Sequence, residues 1–386
     1  MKIAFLTPEY PHERIGHSGG IGTSIKHLAV ALKKQGHDVS LLIYGQKEDV
    51  EFNDNGIQFY KIKNPKLKGL SWILTRKKIQ KLINKLHKEQ KIEIVEAPDW
   101  TGIASFINIK CPIVIRENGS DTYFCHLDHR KVKAINRFHE KQALKSVDGI
   151  ISVSQFTGEL TNKLFNLNKP FTVIPNAVNI EDFEPSGSLS KEKNQTILYF
   201  GTLIRKKGLL ELPSIFNKVN KKYPEATLVL VGKDSPDIKT QTQSTWQLMQ
   251  PLFTKEAIGK VNYIGAVPYS KMREHIEKAT LCVFPTFAEA LPVSWLEAMA
   301  LKKPIVASNV GWAKEIVNDG EDGFLVHPKE HDNYANKIID LLENETLRGQ
   351  FSVAAREKII LKFSSEIVAK QSIEFYKKTI DAYSLS

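Results

Sequence analysis

Two glutamates eight positions apart, Glu289 and Glu297, dominate the segment 281–300, LCVFPTFAEALPVSWLEAMA. Leu281, Cys282, Val283 and Phe284 read as a fully buried strand, which Pro285 ends. Pro292 suits the first turn of the following helix, because its fixed φ fits there and its missing N–H would be unsatisfied anyway. Glu289 is then in the loop above the strand, and Glu297 about two turns into the helix. A helix N-terminus in that position offers backbone N–H groups and positive potential to a phosphate. The carboxylates would repel the phosphate but can accept hydrogen bonds from neutral hydroxyls, so the composition suits a phosphorylated sugar. The plainer alternative is that Glu289 caps a helix and Glu297 is solvated, as charged residues mostly are.

A second group of chemical residues follows an apolar strand at 196–200. There Gly201-Thr202-Leu203-Ile204-Arg205-Lys206-Lys207-Gly208 leads towards a helix. Its cations stand where a pyrophosphate would meet the loop: Arg can bind with two donors at once, Lys as a point charge. The alternative is that Arg205 and Lys206 face solvent.

The elements that must position these groups form an alternating β/α pattern in both halves. The chain opens with a strand in MKIAFLTPEY, then a loop holding Ser18-Gly19-Gly20-Ile21-Gly22, then Ile25, Leu28, Ala29 and Leu32 at helical spacing. Gly20 and Gly22 let a ligand approach the backbone, although the spacing is not that of a dinucleotide loop. Buried strands are expected at 39–43, 92–95, 112–116, 149–154 and 172–179 in the first half. Glu96-Ala97-Pro98-Asp99-Trp100 and Glu117-Asn118-Gly119-Ser120-Asp121 should form ligand-facing loops, since open α/β sheets bind ligands beyond the strands' carboxyl ends. In the second half, strands are expected at 227–231, 261–264 and 304–307. Residues 184–194, EPSGSLSKEKN, have linker composition, which places domain boundaries at 1–183 and 184–365.

The 386 residues exceed one ordinary core, and 42% hydrophobic with 25% charged residues is a globular balance. The N-terminal apolar run is too short for a signal peptide, and Cys111, Cys125 and Cys282 read as buried thiols in a reducing cytoplasm. The net charge of +11 calls for an acidic partner. Neither zinc-finger spacing nor an RNA-binding aromatic signature accompanies it, which argues against nucleic acid. From Lys61 to Lys91 there are eleven Lys or Arg and one acid, Glu89, with Ile79, Leu82, Ile83 and Leu86 on one stripe. Such a helix either lies on an anionic membrane surface or packs on the sheet with a solvated basic face.

The run from Glu289 through Glu297-Ala298-Met299-Ala300 to LKKPIVASNVGWAKEIVNDGEDGFLVHP resembles the signature of the retaining family 4 glycosyltransferases, glycosyl transferases group 1, and the match extends over nearly the whole chain. The resemblance implies an α/β GT-B fold: two Rossmann-like domains facing across a cleft, with a C-terminal helix, here 366–382, returning to the N-terminal domain. It implies a nucleotide-diphosphate sugar as donor substrate, no cofactor, no metal, and a glycan or lipid-linked acceptor at the cytoplasmic membrane face, in surface polysaccharide or glycolipid synthesis. Lys207 matches the family's Lys. Thr202 replaces its usual Arg, so the Arg role falls to Arg205. Glu289 would position the sugar hydroxyls and Glu297 the ribose. Gly20, Gly22, Gly232, Val267, Leu291, Pro292 and Val293 complete the implied donor site, with Asn118 where a His is usual. Asp99, Trp100 and Asp121 would face the acceptor. The departures at Asn118 and Thr202 keep two rivals open: a GT-B epimerase or hydrolase acting on the nucleotide sugar alone, and an inactive sugar-nucleotide-binding protein.

Overall fold

The computed structural model describes residues 1–16, 18–186 and 195–385. Most of the expected linker, residues 187–194, lies outside the described residues. The chain forms two compact units, Met1–Asn179 with Phe363–Ser386, and Ile180–Lys362. Both are α/β units built on parallel sheets.

The first unit contains β1 (Lys2–Thr7), β2 (Asp38–Gln46), β3 (Val50–Asp54), β4 (Ile57–Lys63), β5 (Ile94–Pro98), β6 (Ile113–Glu117), β7 (Gly149–Ser152) and β8 (Thr172–Val173). Their order in the sheet is β3-β4-β2-β1-β5-β6-β7-β8, parallel except for the β3–β4 pair. The central strands are apolar runs because helices cover both sheet faces; Ile3, Ala4, Phe5 and Leu6 of β1 are all buried. Only Thr172–Val173 of the expected strand 172–179 joins the ladder, and Val178 instead bridges to Ser364. The β3–β4 hairpin, absent from the expected elements, turns on Asn55 (φ 50°) and Gly56 (φ 75°). That Asn-Gly pair is the local signal that could have revealed it.

Helix Ser71–Lys88 follows the second of its two readings, packing on the sheet. Its stripe of Ile79, Ile83 and Leu86 is buried in the sheet core, with Leu82 partly buried against it, so that stripe cannot face lipid. Across the sheet, helix Gly20–Lys34 packs Ile25, Leu28, Ala29 and Leu32 into a core shared with Val368, Ala369, Ile373 and Tyr376 of helix Ser365–Ser384. A buried polar knot fastens that C-terminal helix. Arg116 donates to both oxygens of Glu96 (2.8 and 3.1 Å), to the Ile174 carbonyl (3.0 Å) and to Ser372 Oγ (3.2 Å), while Tyr376 Oη donates to Glu96 Oε2 (2.5 Å). Glu96, read as part of a ligand-facing loop, is therefore a strand residue inside the unit.

The second unit contains β9 (Thr196–Phe200), β10 (Thr227–Val231), β11 (Val261–Gly265), β12 (Leu281–Phe284), β13 (Ile305–Ser308) and β14 (Phe324–Val326), ordered β11-β10-β9-β12-β13-β14 and parallel throughout. The chain winds outward from β9 to β11 and then returns to β12 beside β9. This reversal leaves a crevice beyond the carboxyl ends of β9 and β12, where ligands of open α/β sheets bind. Among the described residues, no helix is long and apolar enough to cross a membrane.

Candidate active site

Two loops meet at that reversal point. The loop after β9 holds a short 3₁₀ turn, Arg205–Lys207, and the loop after β12 holds Glu289. The Lys206 carbonyl accepts the N–H groups of Phe287 (2.9 Å) and Ala288 (3.3 Å), tying the loops together. Gly208 (φ +71°) makes this possible, because a Cβ there would lie 1.6 Å from the Pro285 carbonyl oxygen. Gly232 packs equally tightly on the neighbouring loop: its Cβ would lie 1.9 Å from the Gly201 carbonyl oxygen. Close backbone packing thus explains Gly232, which the resemblance assigned to the donor site.

The tie brings Lys207 Nζ to 3.0 Å from Glu289 Oε1. Leu291 and Pro292, both buried, lead from Glu289 into helix Val293–Ala300, whose first turn has no acidic residue and no side-chain cap. Pro292 stands just ahead of the helix (φ −72°, ψ 118°) rather than in its first turn, and Glu297 is its fifth residue, a little over one turn in. Glu297 is buried, and its Oε1 accepts from Tyr269 Oη at 2.7 Å. Burial and the Glu297 charge push the Tyr269 phenol well above its ordinary value, so it stays a hydroxyl donor. Tyr269 begins helix Tyr269–Lys278, two residues after the half-buried Val267. No sequence signal linked Tyr269 to Glu297.

Arg205, on the same turn, has a carboxylate partner of its own. It makes a bidentate pair with Asp237 (2.7 and 2.8 Å), and Thr240 donates its N–H (2.9 Å) and hydroxyl (2.7 Å) to the same carboxylate. The Arg205 hydrogen bonds hold the Asp237 carboxyl well below the usual carboxylate range. These contacts tie Arg205 to the 234–245 loop, while Lys207 approaches Glu289.

The first unit gathers its candidates at its own reversal point, between β1 and β5. Glu9, just after β1, accepts the Gly22 N–H at 3.0 Å through Oε1; Gly20 is the first residue of helix Gly20–Lys34. Glu9 escaped the sequence reading because an isolated Glu after a strand carries no spacing signal. Asp99 is buried, and its Oδ1 accepts the Asn118 N–H at 3.1 Å. The expectation that Asp99 contacts the acceptor is corrected by this burial: it shapes the Asn118 loop. Burial, with help from the Glu140 charge, pushes its carboxyl up to about 8. Glu117, buried beside it, is also raised well above the carboxylate range, by burial and then by the Asp99 charge. The side chain of Asn118 donates to the Arg116 carbonyl at 3.3 Å. Trp100 is half-buried in a 3₁₀ turn, its ring 6.5 Å from Phe124. Asp121 opens helix Asp121–Leu127, and its Oδ2 accepts from Asn136 at 2.9 Å. Among the described residues, no three His, Cys, Asp or Glu gather as a metal site would require.

Two parallel-sheet units, each presenting loops at a strand reversal, define the GT-B class, and solved GT-B structures superpose on the chain accordingly. The sucrose-phosphate synthase from Thermosynechococcus elongatus matches with a TM-score of 0.80 at 19% identity, covering 99% of this chain and 100% of that one. Anabaena HepE in complex with UDP matches with a TM-score of 0.71 at 20% identity, covering 98% and 100%. In sequence, the alpha-maltose-1-phosphate synthase of Mycolicibacterium smegmatis is 26% identical over 98% of this chain and 99% of that protein. Residues 18–182 match the family model of Glycosyltransferase Family 4, and residues 181–358 that of Glycosyl transferases group 1. The chain belongs to this family of glycosyltransferases.

Proposed function

We propose that the protein is a retaining transferase that moves a sugar from a nucleoside-diphosphate sugar to a glycan or lipid-linked acceptor, in surface polysaccharide or glycolipid synthesis. The observation that carries this reading is the Lys207–Glu289 pair beside an uncapped helix start at the reversal point of the second sheet. Lys207 and the first amides of helix Val293–Ala300 stabilise negative charge on the departing diphosphate, supplying the electrostatic help that a metal ion gives elsewhere. Glu289 takes up sugar hydroxyls, and Glu297, with Tyr269 as its hydrogen-bond partner, takes up the ribose. The acceptor oxygen bonds to the anomeric carbon on the face from which the diphosphate leaves, and its proton passes to a phosphate oxygen. Relatives in polysaccharide synthesis support the pathway class: the Staphylococcus aureus capsular polysaccharide biosynthesis glycosyltransferase CapM is 25% identical over 89% of this chain.

The test is nucleotide release from UDP-, GDP- and ADP-sugars in chelator, with and without a mixture of lipid-linked and soluble glycan acceptors. Acceptor-dependent release from one donor, lost in Lys207→Ala and Glu289→Ala, is expected. Release without acceptor, with free sugar or an epimer as product, would overturn transfer in favour of the first rival. Donor binding without turnover across the acceptor panel would favour the second.

A further inference from the structure

The basic segment of the first unit does not offer the apolar stripe expected of it, yet apolar side chains are exposed next to it. Trp72 is 40% exposed, Phe106 56%, Ile135 55% and Phe138 48%. Three of them adjoin: the Trp72 and Phe106 rings are 6.4 Å apart, and Phe106 and Phe138 are 5.8 Å apart. Ile135 is one turn before Phe138 on helix Ala134–Ser146, and Leu67 and Leu70, also exposed, precede Trp72. Monomeric proteins rarely leave such clusters open without a use.

The cluster is also held rigidly from beneath. His139 is buried, lies 4.7 Å from the Trp72 ring and 5.7 Å from Phe106, and shares a 2.9 Å hydrogen bond with Ser105. Arg76 lies over the Trp72 ring at 5.4 Å and donates to the Gly102 carbonyl at 2.9 Å. A mobile loop tip would not need this framework.

The surrounding charge selects the occupant. Residues 64–81 and 129–138 contain no acidic residue. Within them Lys66, Lys68, Lys77, Lys81, Lys131 and Lys133 are exposed and make no ion pair among the described residues. Exposed aromatics beside chain segments rich in exposed lysines suit a surface that is apolar just below a negatively charged layer, which an anionic phospholipid bilayer provides. A folded protein partner would instead have to cover several unpaired cations with matching acids.

We propose that this face, with the exposed pair Phe106 and Phe138, docks on anionic lipid and inserts its aromatic side chains at the headgroup level. The proposal deepens the lipid-linked-acceptor reading by naming the surface that meets the membrane. It is tested without donor, so that failure of transfer leaves it standing. The full chain is sedimented with vesicles of phosphatidylglycerol in phosphatidylcholine, and of phosphatidylcholine alone. Binding is expected only to the first, weakening as salt rises. Phe106→Ser with Phe138→Ser is expected to lose about tenfold in vesicle affinity, with its melting temperature and nucleotide release to a soluble acceptor unchanged. Lys66→Glu with Lys68→Glu should also weaken binding, most at low salt. Absence of binding to anionic vesicles, or undiminished binding by the Phe double variant, would overturn the proposal. So would self-association of the wild type that the Phe substitutions abolish, which would make a second copy the occupant.

Discussion

Carboxylates line the strand ends of both units, but they bind different things. In the first unit three of them hold backbone: Glu9 takes the Gly22 N–H, Asp99 the Asn118 N–H, and Glu140 the N–H groups of Asp121 and Thr122, while Asp121 and Glu96 meet the side chains of Asn136 and Arg116. In the second unit they meet side chains: Glu289 the ammonium of Lys207, Asp237 the guanidinium of Arg205, Glu297 the hydroxyl of Tyr269. Carboxylates there hold backbone as well: Asp234 accepts from the Thr245 and Trp246 amides, and Asp237 takes the Thr240 N–H beside its Arg205 pair. A carboxylate bound to backbone fixes the shape of a loop, and its loss is felt first in stability. One bound to a side chain, as Glu289 is to Lys207, can exchange that partner for a ligand, and its loss is felt first in the kinetics. The contrast predicts which measurement each substitution moves.

The largest effect is expected at Lys207. Lys207→Ala should lower kcat by about a hundredfold to a thousandfold, the scale of removing one charge-stabilising donor, with little change in melting temperature. A drop confined to stability would break the contrast, because Lys207 would then be holding Glu289 for structure alone. Next is the knot in the first unit. Arg116→Met leaves Glu96 charged and buried and should cost about 3–5 kcal/mol by urea denaturation. Glu96→Leu combined with Arg116→Met should recover much of that loss, since a buried pair replaced by apolar groups can be neutral or stabilising. If the single variant is as stable as wild type, the network does not fasten the C-terminal helix.

Asp99 gives a smaller effect with a definite sign. Its carboxyl is pushed up to about 8, above its value in an unfolded chain, so the folded state holds a proton that the unfolded state has released. Its contribution to stability is complete below the unfolded pKa, near 4, and is lost as pH rises through about 8. Urea midpoints of the wild type should fall between pH 5 and pH 8.5 by more than those of Asp99→Asn, whose side chain is neutral throughout. Parallel pH profiles for the two would show that Asp99 does not hold a proton in the fold.

What could be read in advance follows the same division. Strands β9, β10 and β12 were legible because a parallel strand buried on both faces is a bare apolar run, whatever lies around it. Lys207 and Glu289 were legible as a loop cation and a loop carboxylate, and as family positions, but not as a pair: their 3.0 Å approach depends on the Lys206 carbonyl meeting the 285–289 loop, a contact between residues far apart in sequence that no local pattern encodes. Asp99 sits in a polar Pro-Asp-Trp stretch that suggests exposure, and its burial follows from where the neighbouring strand ends. Helix Ser71–Lys88 was found by its stripe, but periodicity does not say whether the stripe faces a core or a bilayer.

Arg205 provides the smallest and sharpest test, because its two readings diverge in kind. As a residue that orders the 234–245 loop through Asp237, it needs a planar fork that matches both carboxylate oxygens. Arg205→Lys keeps the charge and loses the fork. The loop should then loosen, raising the donor KM severalfold while kcat stays close to wild type, and Asp237→Asn should behave alike because it breaks the same pair. If the residue instead carried charge on the departing diphosphate, Arg205→Lys would lower kcat on the scale of Lys207→Ala and Asp237→Asn would not. Measuring kcat and KM separately for the three variants therefore decides whether the second unit commits one cation or two to the leaving group.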